Sequence, residues 1–196
     1  KPGKNIFTDG KSWSKESQYA VGGLMKHAEA LTAITCSTVN SYNGLVPRVG
    51  GFEGGTVTWA PTNITYGHNN RSAQFRLPQN RYCIENRAAD MTMNVYLALA
   101  MTSSAALEGI NNKIDPGKPT DRDLYQMTEN EFKKLGIRRL PKNLLQAIEA
   151  LKADKLAEEV LGFAMKKSFL SYKNDEWERY HQAVTDWEVK EYLRLY

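Results

Sequence analysis

Strand-like sequence is confined to one stretch of this chain, between residues 56 and 87, and helical patterns lie on both sides of it. Within that stretch, runs rich in β-branched and aromatic residues are separated by turn residues, which is typical of short strands. We therefore predict an α+β fold in which one curved antiparallel sheet packs against helices. The predicted strands cover residues 56–59, 64–66, 72–77 and 82–87.

The flanking segments carry apolar residues at helical spacing. Ser14 is placed to cap a helix that continues to Leu31, and residues 93–101 predict a long, buried helix. Capping-box patterns begin two further helices, at Thr128 with Glu131 and at Thr185 with Glu188. The remaining predicted helices cover residues 144–151, 155–161 and 169–180.

Composition and charge exclude several classes of protein. Hydrophobic residues make up 41% of the chain and charged residues 24%, which excludes a disordered or collagen-like chain. The longest strongly apolar stretch, residues 95–101, is too short to span a bilayer, so no membrane partner is predicted. The 26 Lys and Arg residues are mixed with 22 Asp and Glu residues, so no nucleic-acid partner is indicated either.

The compartment and the boundaries of the chain are also matters of prediction. Two cysteines, Cys36 and Cys83, have no zinc-binding spacing and suit a reducing compartment, which favours the cytoplasm. The chain begins with Lys1, and its opening residues KPGKN look like an interior turn. We expect residues 1–196 to be part of a longer polypeptide.

Strand alternation predicts a charged cluster on one face of the sheet. Side chains two residues apart share a face, so Glu85 and Arg87 point the same way. In the preceding strand Arg76 faces away from the core, and Arg71 lies at the strand entrance. If the two strands form a hairpin across residues 78–81, then Arg76, Glu85 and Arg87 converge.

Three arginines around one carboxylate have a specific chemical use. Guanidinium groups hold phosphate or carboxylate oxygens in bidentate fashion, and a carboxylate holds a divalent cation. This combination suits phosphoryl transfer. The spacing is equally compatible with surface ion pairs on the exposed face of an antiparallel sheet, and it leaves both interpretations open.

Four motifs in a fixed order resemble the C-terminal part of the glutamine synthetase catalytic domain. They include NSYNGLVP at 40–47 and NRSAQFRLP at 70–78. They continue with IENRAAD followed by MNVYLALA within 84–100, and with LEGINNKIDPG at 107–117. The likeness extends over nearly the whole chain. It implies that a small N-terminal β-domain and the first half of the catalytic domain lie upstream of residues 1–196.

The resemblance also implies an activity. Enzymes of this family use ATP and Mg²⁺ or Mn²⁺ to phosphorylate the γ-carboxylate of glutamate, and ammonia or an amine then attacks the acyl phosphate. They assemble as ring-shaped homo-oligomers. Glutamate, ATP and ammonia or a small alkylamine are therefore the expected substrates.

The resemblance assigns roles to four charged residues. Arg71 and Arg76 match the arginines that hold the transferring phosphate and the nucleotide phosphates, so both are predicted catalytic and cofactor-binding residues. Glu85 matches a metal-binding glutamate, and Arg87 matches the arginine of the glutamate site. These roles agree with the charge argument, because fixed guanidinium groups stabilise charge that develops on phosphate oxygens.

The chain departs from the family pattern at functional positions. Gly44 and Cys83 stand where the family has arginines for glutamate and for the nucleotide. Trp59 stands at the place of the ammonium-binding glutamate, and Glu53 from a glycine-rich loop is a candidate substitute. That loop is interpreted either as a mobile flap over the site or as a variable surface loop.

Two hypotheses follow from the departures. An indole at Trp59 can pack on an alkyl group, which predicts a small alkylamine acceptor such as methylamine and a γ-glutamylmethylamide synthetase-like enzyme. The alternative for Trp59 is a core or subunit-contact aromatic residue. For the whole chain, the changes at Gly44 and Cys83 leave open a catalytically inactive homologue with a structural or binding role.

Overall fold

The computed structural model describes residues 3–46 and 59–193, and within them four short strands and seven α-helices form a mixed α+β fold. Two 3₁₀ helices, Val39–Leu45 and Leu124–Gln126, complete these elements. The strands are Asn63–His68 (β1), Ala73–Leu77 (β2), Glu85–Asn86 (β3) and Arg138–Arg139 (β4). The helices are Lys15–Lys26 (α1), Ala28–Thr35 (α2), Val95–Asn111 (α3), Glu129–Leu135 (α4), Leu144–Ala153 (α5), Lys155–Gln182 (α6) and Asp186–Tyr192 (α7).

The sheet has the strand order β3-β2-β1-β4. Strands β2 and β3 pair antiparallel, with Arg76 opposite Glu85, so the hairpin predicted across residues 78–81 is confirmed. The prediction of a wholly antiparallel sheet is wrong for β1 and β2, which run parallel. The strand predicted at residues 56–59 lies outside the described residues except for Trp59.

The link between β1 and β2 explains this parallel pairing. Asn69 has a φ of 57°, in the left-handed region that Asn tolerates better than most residues, and this reverses the chain after β1. The Asn70 side-chain amide donates hydrogen bonds to the carbonyl oxygens of Thr120 at 2.6 Å and Arg122 at 2.9 Å. Its side-chain oxygen accepts from the backbone N–H of Ser72. These bonds fix the return segment so that β2 begins beside the start of β1.

The larger of two hydrophobic clusters in the described residues is the core between the sheet and the helices. Phe75 and Leu77 of β2 supply its sheet side and are 0% and 2% exposed. Burying each such side chain stabilises the fold by about 1.5–3 kcal/mol relative to leaving it exposed. The helix side is formed by buried residues of α2, α3 and α5, which include Leu31, Ile34, Met101, Leu144, Ile148 and Leu151. Because successive side chains of β2 point to opposite faces of the sheet, Arg76 lies on the face that points away from this core.

The capping predictions are confirmed. The Ser14 side chain accepts a hydrogen bond from the backbone N–H of Ser17, and both capping boxes, at Thr128 and at Thr185, are present. The two helices predicted at 155–161 and 169–180 belong to α6, which bends at Gly162, where φ is 70°. Gly tolerates this conformation, because it has no Cβ.

Helix α3 is buried along one stripe only, so the prediction of a buried helix at 93–101 is wrong for part of its surface. Ala98, Met101 and Ala105 are buried, whereas Tyr96 is 81% exposed and Leu99 is 65% exposed. Its apolar sequence therefore supplies both a core-facing stripe and an exposed apolar stripe. Among residues 3–46 and 59–193, no helix combines the length and the apolar character needed to cross a bilayer.

The single helix predicted between Ser14 and Leu31 is two helices, because His27 interrupts it. The imidazole Nδ1 of His27 lies 2.6 Å from a carboxylate oxygen of Asp154, and Nε2 contacts Glu108. Lys26 pairs with Glu108 at 2.6 Å, and Lys166 donates to the backbone carbonyl of Asp154 at 3.0 Å. His27 thus joins the α1–α2 junction to α3 and to the start of α6.

His27 is expected to make the stability of the fold depend on pH. Burial alone lowers the pKa of the His27 imidazole, but its contacts with the Asp154 and Glu108 carboxylates outweigh burial and raise that pKa. The stabilisation is therefore complete below the unfolded pKa of about 6.5 and is lost as pH rises through the folded pKa. In His27→Gln, the stability measured by thermal unfolding should not show this fall as pH rises above about 6.5.

The matched control for this prediction is His181→Gln, since His181 is exposed on α6. This variant should keep the pH dependence of the unaltered protein. Parallel stability curves for His27→Gln and the unaltered protein would contradict the prediction.

Candidate active site

Charged side chains converge where β2 meets β3. The Arg76 guanidinium donates to one Glu85 oxygen at 2.9 Å, and Arg87 donates to the other oxygen at 2.9 Å. Arg81, in the turn between the strands, lies 3.5 Å from the same oxygen as Arg76. The convergence of Arg76, Glu85 and Arg87 predicted from alternation is confirmed.

The arginines keep Glu85 ionised. Burial alone would raise the pKa of this carboxyl, but the hydrogen bonds from Arg87 and Arg76 outweigh burial and hold the pKa below its usual value. Three guanidinium groups around one carboxylate leave an excess of positive charge. The arrangement is therefore suited to an anionic ligand.

Arg87 also fixes the backbone on two sides of the site. Its Nε donates to the carbonyl oxygen of Arg71 at 3.0 Å, and Nη2 donates to the carbonyl oxygen of Trp59 at 2.9 Å. The guanidinium thus ties the entrance of β2 and the segment before β1 to Glu85. The exposed Arg71 side chain stands at the entrance of β2, as predicted.

Trp59 lies at the border of the site and is not a core residue. It is 47% exposed, and its ring centroid is 6.0 Å from that of Tyr125. The Tyr125 hydroxyl donates to the carbonyl oxygen of Ala60 next to it. The core interpretation of Trp59 is therefore wrong, and a contact with a ligand or another subunit stays open. Glu53 and its glycine-rich loop lie outside the described residues.

The two departures from the family motifs lie in different surroundings. Gly44 is in the 3₁₀ helix Val39–Leu45, and a Cβ built there meets nothing within 4 Å. Cys83 is half-buried with a free thiol, just before β3. Gly44 therefore leaves open space around its backbone where the motif has arginine.

Sequence reasoning missed two residues of the cluster. Arg81 was not predicted, although its separation of four residues from Glu85 across a tight turn is a signal for contact. Asn69 accepts a hydrogen bond from Arg76 Nη2 at 2.9 Å through its side-chain oxygen. Only the return of the chain after β1 brings Asn69 to this place, so no local pattern could have indicated it.

The donor set allows a divalent cation to be shared with a ligand. Among the described residues, no group of three or more His, Cys, Asp or Glu is placed to hold a metal ion. Mg²⁺ in nucleotide sites is bound by one or two carboxylates together with substrate phosphates. Glu85 therefore fits as one carboxylate ligand beside phosphates held by the arginines, and does not form a closed metal cage.

Comparisons with known proteins agree with this geometry. Residues 1–192 match the family model described as glutamine synthetase, catalytic domain. A glutamine synthetase of Methanosarcina mazei is 41% identical over 201 residues, which cover 100% of this chain and 43% of the relative. A glutamate–methylamine ligase of Methyloversatilis universalis is 41% identical over 198 residues, which cover 98% of this chain and 43% of that protein.

A solved structure described as a GmaS/ADP complex superposes with a TM-score of 0.82 at 37% identity. The match covers 98% of this chain and 43% of that one. A structure of apo GmaS without ligand gives a TM-score of 0.79 at 36% identity. The chain therefore spans less than half the length of the relatives that it matches.

Proposed function

This chain belongs to the glutamine synthetase family, and we propose that it is the C-terminal part of the catalytic domain of an ATP-dependent glutamate–amine ligase. The observation that carries the proposal is the Glu85 carboxylate held by Arg76 and Arg87 on one sheet face. Such a cluster can receive phosphate oxygens and a divalent cation together. The upstream half of the catalytic domain and an N-terminal β-domain would complete the enzyme.

The proposed roles are those that the family motifs imply, residue by residue. Arg71 and Arg76 would bind the nucleotide phosphates and the transferring phosphoryl group, and Glu85 would bind Mg²⁺ or Mn²⁺, which neutralises phosphate charge. Arg87 would bind glutamate. A guanidinium has five N–H donors, and the contacts to Glu85, Arg71 and Trp59 use three of them. Within residues 3–46 and 59–193 the other two donors have no partner, so they could receive a substrate carboxylate.

We propose a small alkylamine, methylamine first and ammonia second, as the acceptor. Sequence identity does not distinguish methylamine from ammonia as the acceptor, because a glutamine synthetase and a glutamate–methylamine ligase are both 41% identical to this chain. The exposed indole of Trp59 supports methylamine, since it can pack on a methyl group but cannot deprotonate ammonium as a carboxylate does.

The test uses the polypeptide that carries this chain and measures phosphate release from ATP. Release should require both glutamate and an amine, and kcat/KM should be at least about tenfold higher for methylamine than for ammonia, with ethylamine as a third acceptor. A strong preference for ammonia would contradict the alkylamine acceptor and leave the ligase proposal intact.

Trp59→Glu is expected to shift the acceptor preference toward ammonia by about tenfold, because a carboxylate binds ammonium and a polar group disfavours a methyl group. The measurement is the ratio of kcat/KM values for the two amines. Phe163→Glu, which changes an exposed aromatic residue on α6, is the control and should leave the ratio unchanged. An unchanged ratio in Trp59→Glu would show that this indole does not contact the acceptor.

A second candidate function is a catalytically inactive homologue with a structural or binding role. The missing arginines at Gly44 and Cys83 favour it. Absence of phosphate release that depends on glutamate and amine, in a protein that is folded, would support it against the ligase.

We also propose a ring-shaped homo-oligomer in the cytoplasm. Exposed apolar residues on α7, including Trp187 at 62% and Val189 at 44%, support contacts with another subunit. The free thiols of Cys36 and Cys83 are consistent with a reducing compartment.

A further inference from the structure

Gln74 shares the sheet face of the charged cluster. In the β2–β3 pair Phe75 lies opposite Asn86 and Arg76 lies opposite Glu85. The backbone N–H of Arg87 donates to the carbonyl oxygen of Gln74 at 2.8 Å, which extends the pairing by one step. Gln74 therefore lies directly across from Arg87 and two residues from Arg76, on their side of the sheet.

The Gln74 carboxamide is buried with its hydrogen-bonding groups unused. The residue is 0% exposed, and among the described residues neither its side-chain oxygen nor its side-chain nitrogen has a partner. A buried polar atom without a partner costs free energy that a methionine of similar length would avoid. A partner supplied in another state of the site would remove this cost.

A complementary unpaired atom lies on the same face. The Nε of Arg76 is buried and has no partner within the described parts of the chain. It is a donor, and the Gln74 side-chain oxygen is an acceptor. Residues two apart on one strand face are close enough for side chains as long as these to meet.

The present contacts of Arg76 explain why the two atoms do not meet here. Its Nη1 is held by Glu85 at 2.9 Å and its Nη2 by Asn69 at 2.9 Å. If Glu85 binds a cation and Arg76 binds phosphate, as proposed above, the guanidinium must leave Glu85. It then requires a new acceptor to hold its orientation.

We infer that Gln74 is a positioning residue, which accepts a hydrogen bond from Arg76 Nε when Arg76 turns from Glu85 toward a nucleotide phosphate. This inference rests on the proposed function and adds to it a residue that acts on the phosphate through Arg76. The bond fixes the plane of the guanidinium, so that its Nη donors face the phosphate oxygens in bidentate geometry.

The experiment measures ADP binding, with Mg²⁺ present, by titration calorimetry on the polypeptide that carries this chain. Gln74→Met removes the acceptor at nearly constant length and should raise the Kd for ADP about tenfold, equivalent to about 1.4 kcal/mol, without lowering Tm. Gln74→Glu keeps an acceptor and should stay within about threefold of the unaltered protein. Gln18→Met, on the exposed side of α1, is the matched control and should not change the Kd.

A double-mutant cycle separates positioning from a merely structural role. Arg76→Lys lacks the Nε donor, so adding Gln74→Met to it should change the Kd by less than about twofold. A full tenfold effect in that background, or an unchanged Kd in Gln74→Met alone, would overturn the inference. ADP binding without glutamate-dependent turnover would instead contradict the ligase proposal and leave the role of Gln74 standing. A protein that binds no ADP would overturn both.

Discussion

Glu85→Gln is expected to lower kcat/KM for glutamate-dependent phosphate release by about 100-fold or more. Glutamine keeps the size of the side chain but removes the charge that pairs with Arg76 at 2.9 Å and with Arg87 at 2.9 Å. It also removes the carboxylate proposed to hold the cation. The cation would neutralise the phosphate that the arginines hold, so the loss should appear in kcat as well as in the KM for ATP.

Two controls show whether the loss is chemical. Glu149→Gln changes an exposed glutamate whose pairing with Lys152 spans 4.0 Å, and it should leave activity unchanged. Thermal unfolding of Glu85→Gln should shift by a few degrees at most, since the removed contacts are partly exposed. More than about a tenth of the original activity in a folded Glu85→Gln variant would show that this carboxylate is not essential.

The charged cluster could be predicted because it depends on local rules. The period of two along a strand puts Glu85 and Arg87 on one face, and the turn at 78–81 is short enough to fix the pairing of Arg76 with Glu85. Each rule acts over fewer than about ten residues. The sequence therefore carries the geometry directly, and the family motifs add the proposed roles.

The direction of β1 relative to β2 could not be predicted in the same way. A run of β-branched and aromatic residues has the same appearance in parallel and antiparallel pairs. The direction is set by the positive φ of Asn69 and by bonds from Asn70 to a loop around Thr120. The bond from Asn70 to Thr120 joins residues 50 apart in sequence, so no local sequence pattern indicates it.

The break at His27 could not be predicted from the local sequence either. The apolar spacing from Val21 to Leu31 continues through His27 without interruption. In the structure, His27 at this break contacts the Glu108 and Asp154 carboxylates, 81 and 127 residues away. The same reasoning applies to Gln74, whose unpaired carboxamide becomes visible only when the burial of every atom around it is known.

Gly109→Ala is expected to destabilise the fold by about 3 kcal/mol, at the upper end of the usual cost of overpacking. Helices α1 and α3 touch through glycines, and a Cβ on Gly109 would lie 2.1 Å from the carbonyl oxygen of Tyr19 and 2.7 Å from the Gly23 nitrogen. These are backbone atoms that cannot rotate away, so one helix must move. Alanine favours a helix interior by about 1 kcal/mol over glycine, which is too little to offset the clash.

The measurement is thermal and denaturant unfolding of Gly109→Ala beside Gly44→Ala. A Cβ on Gly44 meets nothing within 4 Å, so that variant should change stability by less than about 0.5 kcal/mol. Glu108 precedes Gly109 and contacts His27. If the alanine separates α1 from α3, this contact should weaken, and the stability of the variant should fall less as pH rises above about 6.5. Equal stability of the two variants would mean that the helices can separate slightly at little cost. A destabilised Gly109→Ala that keeps the full pH dependence would mean that the His27 contacts do not depend on this glycine contact.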